Sequence, residues 1–199
     1  CSSDLAKLRI NSYQRDALED FTKAIELNPN YEEAYFDRGI VKYILQYGSN
    51  GIDDFTKVIE ISPKNAEAYY YRGLVEYKYK YSAYSYPESA INDFTKAIEL
   101  NPKNSHLYYV RGLAKLEFED YTCAIEDFTK AIGLNPNYEK IYYYRGLAKR
   151  CLEDYNSAIE DFTKAIELNP KYAEAYYYRG MDKLIKIKDY REATEDFTK

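Results

Sequence analysis

One thirteen-residue segment recurs along this chain, and its recurrence limits the possible folds more than any other feature. The clearest copy runs from Ala158 to Pro170 and reads AIEDFTKAIELNP. Its central tetrapeptide, Asp-Phe-Thr-Lys, begins at Asp20, Asp54, Asp93, Asp127, Asp161 and Asp196. A proline follows nine residues after each of the first five, and nine residues further on an Arg-Gly pair begins at Arg38, Arg72, Arg111, Arg145 and Arg179. The common period is 34 residues, lengthened only by insertions, and such a period is typical of a solenoid whose repeats pack on their neighbours.

Each repeat predicts two antiparallel helices joined by a short polar turn. In residues 138–171 the apolar residues recur at spacings of three and four, and Asn169-Pro170 ends the second helix. First helices are expected near 32–46, 65–80, 104–117, 139–151 and 173–187, and second helices near 15–27, 52–61, 88–100, 122–134, 156–168 and 191–199. The chain is thus predicted to be one all-α array over 1–199, with a partial repeat 1–30, repeats 31–64, 65–103, 104–137 and 138–171, and a partial repeat 172–199.

The arginine of each Arg-Gly pair lies in an apolar stripe of the first helix. A guanidinium group keeps its charge, so its partial burial demands an acceptor. We expect that acceptor to be the aspartate of Asp-Phe-Thr-Lys, in the same repeat or the next, with a role in helix register. A functional role such as anion binding is the alternative. The glycine after each arginine is expected to mark a close approach of two backbones, because glycine inside a helix costs about 1 kcal/mol.

Two irregular segments interrupt the pattern. Residues 76–90 contain five extra residues and five tyrosines, Tyr77, Tyr79, Tyr81, Tyr84 and Tyr86. We expect a longer first helix there, then a loop leading to Pro87 at the start of the next helix. The tyrosines either pack within a longer hairpin or form a protruding contact site. Gly48-Ser49-Asn50-Gly51 replaces the usual turn and predicts a flexible corner.

Composition and motifs argue against several classes of function. A net charge of -5 disfavours nucleic acid as the main partner, and no apolar run is long enough for a membrane span. His106 is the only histidine, and the three cysteines, Cys1, Cys123 and Cys151, form no disulfide framework or zinc motif. No catalytic constellation and no phosphate-binding glycine loop is apparent. We therefore expect no enzyme activity within this segment, no metal site and no cofactor.

The location predicted from these features is cytoplasmic, with one rival interpretation. Cys1 followed by Ser2-Ser3-Asp4 also suits a bacterial lipoprotein, which is exported and lipid-anchored at its first cysteine. Against this, Leu5-Ala-Lys-Leu8 copies Leu113-Ala-Lys-Leu116, which follows Arg-Gly in a full repeat. Both ends are therefore interpreted as truncations of a longer array.

The repeat resembles the tetratricopeptide repeat. In one repeat the resemblance depends on small and aromatic positions, namely Tyr142, Gly146, Tyr155, Ala158, Phe162, Ala165 and Pro170. The chain departs from the family in having Tyr where Trp is frequent, Arg before the glycine, and Lys three residues after it. The resemblance implies a right-handed superhelical α-solenoid whose first helices line a concave groove.

If that geometry holds, a second stripe of the first helices lines the groove. The candidate partner-binding residues are Phe36, Asp37, Ile40, Tyr70, Tyr71, Leu74, Tyr109, Leu113, Lys140, Tyr143, Tyr144, Leu147, Tyr177 and Tyr178. Tyrosine offers a large contact area and a hydroxyl group at low entropy cost, which suits recognition. Some of these tyrosines are alternatively expected to pack on the neighbouring first helix.

The resemblance also argues against one type of partner. Family members that hold acidic chaperone tails use lysine and asparagine along the groove, where this chain has Phe36, Tyr70, Tyr109 and Tyr143, and Ile40, Leu74 and Leu113. We expect instead a protein partner that docks an extended segment or amphipathic helix through apolar anchors. Two alternatives stay open: self-association through the array ends, and a regulatory or targeting segment of a larger enzyme or lipoprotein.

Overall fold

The computed structural model describes residues 2–45, 51–78 and 87–184, with side chains for 15–45, 51–78 and 88–184. Every regular element in these ranges is helical, which confirms the all-α prediction. The helices are α1 Ser2–Leu27, α2 Glu32–Ile44, α3 Gly51–Ile61, α4 Ala66–Lys78, α5 Pro87–Leu100, α6 Ser105–Glu117, α7 Tyr121–Leu134, α8 Glu139–Cys151, α9 Tyr155–Leu168 and α10 Ala173–Asp182. The helices begin within one residue of the predicted starts except in α1, and the predicted ends near 46, 80 and 187 lie outside the described residues.

The chain divides into two compact units, Cys1–Asn101 and Pro102–Lys199. In the first unit, α2 packs against α1 and α3, and α4 packs against α3 and α5. In the second unit, α7 packs against α6 and α8, and α9 packs against α8 and α10. Each helix pair therefore contacts the next pair within its own unit, as expected of a repeat fold. The single array over 1–199 stays a prediction.

In the second compact unit, each described turn between paired helices contains an acidic dipeptide. Glu119 and Glu153 adopt left-handed backbone conformations, with φ of 61° and 60°. The next residue caps the following helix: Asp120 accepts a hydrogen bond from the Cys123 backbone N–H at 3.2 Å, and Asp154 from that of Ser157 at 3.2 Å. These contacts satisfy backbone donors that the first helical turn leaves unpaired.

We expect Asp154→Ala to lower the free energy of unfolding by about 1 kcal/mol, since the cap of α9 is lost. The hydrogen bonds from Ser157 also hold the pKa of Asp154 below its usual range. The stabilisation is therefore present above the unfolded pKa and is lost as the pH falls through the lower folded pKa. Urea titrations at pH 7 and at acid pH measure both effects. Equal losses at both pH values would contradict the cap as their origin.

The first helix departs from the prediction. A second helix was expected to begin near residue 15, after a turn, but α1 is continuous from Ser2 to Leu27. Tyr13 stands at the position that Asp120 and Asp154 occupy in later repeats, so the carboxylate that caps α7 and α9 has no counterpart in α1.

Pro87 is the first residue of α5, as predicted. Several other predictions lie outside the described residues: the flexible corner except for Gly51, the final helix near 191–199, Cys1, and the four tyrosines Tyr79, Tyr81, Tyr84 and Tyr86. Gly51 itself is buried at the start of α3.

One phenylalanine from each described Asp-Phe-Thr-Lys copy from the second onward fills the space between paired helices. Phe55, Phe94, Phe128 and Phe162 are all 0% exposed. Gly39, Gly73, Gly112 and Gly146 each face one of these rings, and a Cβ added at Gly112 would lie 2.7 Å from Phe128 Cε1. The predicted close approach is therefore present, but the glycine makes room mainly for an aromatic ring rather than for a second backbone.

Candidate functional site

The predicted pairing of arginine and aspartate is present in all four repeats where the structure describes both residues. The guanidinium of the first helix binds the carboxylate of the second helix in the same repeat. Arg145 donates from Nε to Asp161 Oδ2 at 2.9 Å and from Nη2 to Oδ1 at 2.6 Å. The other pairs are Arg38–Asp54, Arg72–Asp93 and Arg111–Asp127. The acid equivalent for Arg179, Asp196, lies outside the described residues.

Two further partners complete this contact, which we call the Arg–Asp bridge. Lys149, one turn after Arg145, binds the second oxygen of Asp161 at 2.7 Å, and Lys42 and Lys115 repeat that contact. Within each compact unit, Nη1 of the arginine donates to the threonine hydroxyl of the preceding Asp-Phe-Thr-Lys segment, as between Arg72 and Thr56 at 3.1 Å and between Arg145 and Thr129 at 3.0 Å. In these repeats the bridge therefore ties both helices to the repeat before them.

Sequence reasoning missed both additional partners. The lysine lies four residues after the arginine on the same helix, so spacing alone was a usable signal for it. The threonine was detectable only as an invariant part of the repeated tetrapeptide. The hydrogen bonds to aspartate and threonine occupy the guanidinium groups of these arginines. This favours the predicted role in helix register over a role in anion binding.

A second missed pair lies in the second compact unit. Arg150 donates from Nε to Asp182 Oδ1 at 2.6 Å, and its guanidinium lies 5.2 Å from the ring centroid of Tyr178. Asp182 is fully buried, and burial raises its pKa, which Arg150 opposes. Asp182 occupies the position held by Ala114 and Ala148 in earlier repeats. The repeat pattern predicts a small apolar residue there, so it gave no signal for an acid.

In three repeats, a tyrosine two residues before the glycine of Arg-Gly connects neighbouring repeats. Tyr144 stacks on Phe128 of the preceding second helix, with centroids 6.4 Å apart and planes at 25°. Tyr71 stacks in the same way on Phe55, and Tyr178 on Phe162. Three of the predicted groove residues therefore contribute to packing between repeats, and each is only half-buried.

The preceding position in each first helix is aromatic, and in α6 and α8 this aromatic side chain is closely packed. Tyr109 and Tyr143 are only 7% and 9% exposed. Tyr143 has ring contacts with Tyr144, Phe162, Tyr172 and Tyr178. Burial raises the pKa of Tyr109 and of Tyr143 well above the ordinary phenol range, so both hydroxyls stay protonated. These two side chains offer little surface to a partner.

The remaining candidate residues are more accessible. Asp37, Lys140 and Tyr177 are exposed, the last by 51%. The half-buried candidates are Phe36, Ile40, Tyr70, Leu74, Leu113 and Leu147. Among them, the residue directly after each of the first four Arg-Gly pairs is an aliphatic side chain that keeps solvent contact. These residues are Ile40, Leu74, Leu113 and Leu147.

The first compact unit has a small pocket beside Phe36. Its other lining residues are Glu32, Glu33, Asp37, Asn65 and Glu67. Glu32 is already engaged, since it accepts hydrogen bonds from Ser62 and from the Asn65 amide. The pocket is therefore acidic around one aromatic ring. In the second unit the position of Glu33 and Glu67 is taken by His106, Lys140 and Glu174.

No group of three or more His, Cys, Asp or Glu side chains suited to a metal ion occurs within 15–45, 51–78 and 88–184. In the part of the chain that the structure describes, no helix has the length and apolar character needed to cross a bilayer.

Comparisons with known proteins agree with this architecture. Two tetratricopeptide repeat family profiles match the chain, one over residues 139–172 and the other over residues 87–139. No match was found among curated proteins.

Solved structures are similar over most of the chain. A crystal structure of MamA protein is 25% identical, with a TM-score of 0.75 over 85% of this chain and 90% of that one. YrrB, described as a TPR protein with an unusual peptide-binding site, is 24% identical, with a TM-score of 0.75 over 90% of this chain and 89% of its own. The Arabidopsis OM64 TPR domain is 32% identical, with a TM-score of 0.55 over 59% of this chain and 93% of its own.

Repeat proteins of this class generally present extended surfaces to protein partners. The recurring motif, the helix pairs, the two family matches and the structural neighbours lead to one conclusion: the chain is a tetratricopeptide repeat protein.

Proposed function

We propose that this chain is a non-enzymatic scaffold that binds an extended segment or amphipathic helix of a protein partner on its first helices. The observation that carries the proposal is the half-exposed aliphatic residue after each of the first four Arg-Gly pairs. It is Ile40 and Leu74 in the first compact unit, and Leu113 and Leu147 in the second. A recurring apolar side chain that keeps solvent contact is a suitable anchor point for a partner.

The tightly packed aromatic residues support this surface rather than make the contact. Tyr109 and Tyr143 are almost fully buried, so they hold the first helices in place beneath the half-exposed leucines. Alanine at either position is expected to remove core packing and lower stability. Variants of Leu113 and Leu147 are therefore better probes of binding.

Charged residues at the edge of the surface differ between the compact units. Exposed Asp37, Glu33 and Glu67 give the first unit an acidic edge, whereas the second unit has His106, Lys140 and Glu174 at the positions of Glu33 and Glu67. Exposed charges contribute little affinity in water and are screened by salt. We propose that they orient the partner, while desolvation of apolar side chains supplies the affinity.

Peptides selected from a displayed library of amphipathic sequences provide the test. We expect Leu147→Ala to weaken a selected peptide by about five- to tenfold, because part of a buried leucine contact is lost. Leu134→Ala is the matched control, since Leu134 is exposed on α7, outside the proposed surface. It should leave the affinity unchanged. Fluorescence anisotropy measures both dissociation constants, at a temperature where each variant is folded.

Salt dependence separates apolar docking from charge-driven docking. We expect the dissociation constant to change by less than about threefold between low and high salt, because screening acts on exposed charges. A collapse of affinity at high salt, or equal losses in both variants, would contradict the proposal. Sedimentation of the free protein tests the self-association alternative, which requires an apparent mass that rises with concentration.

A further inference from the structure

One repeat carries an acid where three others carry the second cation of the Arg–Asp bridge. The position lies four residues after the arginine of Arg-Gly and holds Lys42, Glu76, Lys115 and Lys149 in successive repeats. In the three lysine repeats, two cations surround one carboxylate. In the repeat of α4 and α5, a single arginine faces two carboxylates.

The geometry around that arginine is otherwise unchanged. Arg72 donates from Nε and from Nη2 to the two oxygens of Asp93, both at 2.7 Å, and from Nη1 to Thr56 of α3 at 3.1 Å. The guanidinium of Arg72 is therefore hydrogen-bonded to Asp93 and Thr56, and Glu76 lies one turn later on the same helix. Glu76 is half-buried, and one of its carboxylate oxygens lies out of reach of water.

Within the described residues, burial and three neighbouring side chains affect the ionisation of Glu76. Burial, followed by the negative charge of Asp93 on α5, raises the pKa of Glu76 to about 7. A hydrogen bond with Ser89 on α5 and the charge of Arg72 on α4 act in the opposite direction. The two raising effects have a clear physical origin, because a second carboxylate near a first resists ionisation, more so where water is excluded.

We propose that the α4–α5 hairpin is a pH-sensitive element that takes up a proton at Glu76 on folding and loosens as the pH rises to neutrality. Its stability is complete below the ordinary pKa of an unfolded glutamate, where both states are protonated. It then declines as the pH rises, since ionised Glu76 must share Arg72 with Asp93, and levels off above the folded pKa. The α6–α7 and α8–α9 hairpins, which have Lys115 and Lys149 at this position, lack this response.

A comparison of the unsubstituted 199-residue chain with Glu76→Gln tests the proposal. The two proteins should be equally stable near pH 4.5, and the variant should gain about tenfold in its folding equilibrium constant by pH 8. The expected tenfold change is smaller than the full pKa difference would give, because Glu76 is partly exposed and solvent screens its charge. Urea titrations across this pH range measure it. His106, the only histidine, has a pKa lowered by burial, but it is common to both proteins and cancels in the difference.

The repeats supply a matched exchange. Glu76→Lys should remove the pH response of the α4–α5 hairpin, and Lys115→Glu should create one in the α6–α7 hairpin. Hydrogen exchange of the α5 and α7 amides, corrected for the intrinsic pH dependence, assigns each response to its hairpin. Parallel stability profiles for wild type and Glu76→Gln, or a Glu76 carboxyl carbon whose NMR titration has an ordinary midpoint, would overturn the proposal.

Discussion

Asp161→Ala should lower the free energy of unfolding by about 3 kcal/mol, because two half-buried cations lose one shared carboxylate. The Asp161 side chain is 5% exposed, and those of Arg145 and Lys149 are each 17% exposed. Neither cation is well placed to recover full hydration without disturbing the interface between α8 and α9. Arg145 also binds Thr129, so the loss extends to the preceding repeat.

Urea unfolding of Asp161→Ala and of two companion variants measures this effect. Glu160→Ala removes an exposed neighbouring acid and should change stability by less than about 0.5 kcal/mol. Asp161→Asn keeps the shape but not the charge, and should fall between the two. A loss below about 1 kcal/mol in Asp161→Ala would mean that solvent replaces the carboxylate, contrary to the expected cost of leaving buried cations unpaired.

Gly112→Ala should destabilise the protein by about 2 kcal/mol, although alanine is the better helix former. The added Cβ would lie 2.7 Å from Phe128 Cε1 and 2.9 Å from Cδ1, and the ring is fully buried. A rigid ring inside a packed core has little freedom to move aside. The cost of overpacking therefore exceeds the gain of up to about 1 kcal/mol in helix propensity.

Another glycine provides a control for which alanine is expected to raise the stability instead of lowering it. Gly133 lies near the end of α7, and a Cβ added there would meet no atom within 4 Å. Gly133→Ala should therefore stabilise the protein by up to about 1 kcal/mol through helix propensity alone. Thermal or urea unfolding compares the two substitutions. A stabilising effect at both sites would show that the Phe128 ring moves aside without a loss of stability.

Some features of this protein follow from local sequence. The 34-residue spacing and the Asn-Pro ends predicted the paired helices, because helix periodicity and proline stops act within a few residues. An arginine in an apolar stripe required a carboxylate, and the repeated aspartate was the only acid with the same period. The bridge between Arg145 and Asp161 was therefore predictable without coordinates.

The candidate surface was less predictable from the sequence. Helical spacing placed Tyr143 and Leu147 on one stripe, but it carries no information about what the neighbouring repeat places over each of them. Contacts from Tyr172 and Tyr178 bury Tyr143, while Leu147 keeps some solvent contact. Exposure depends on residues far away along the chain, and a period alone does not specify it.

The sequence by itself determined the repeat, the helix pairs and the arginine–aspartate pairing, since each depends on spacing or on a charge that cannot be neutralised. The tertiary structure alone decided that the glycines accommodate phenylalanine rings, that threonine joins adjacent repeats, and that Glu76 shares Arg72 with Asp93. All three depend on which side chains meet across helices, and those contacts are fixed only when the helices pack.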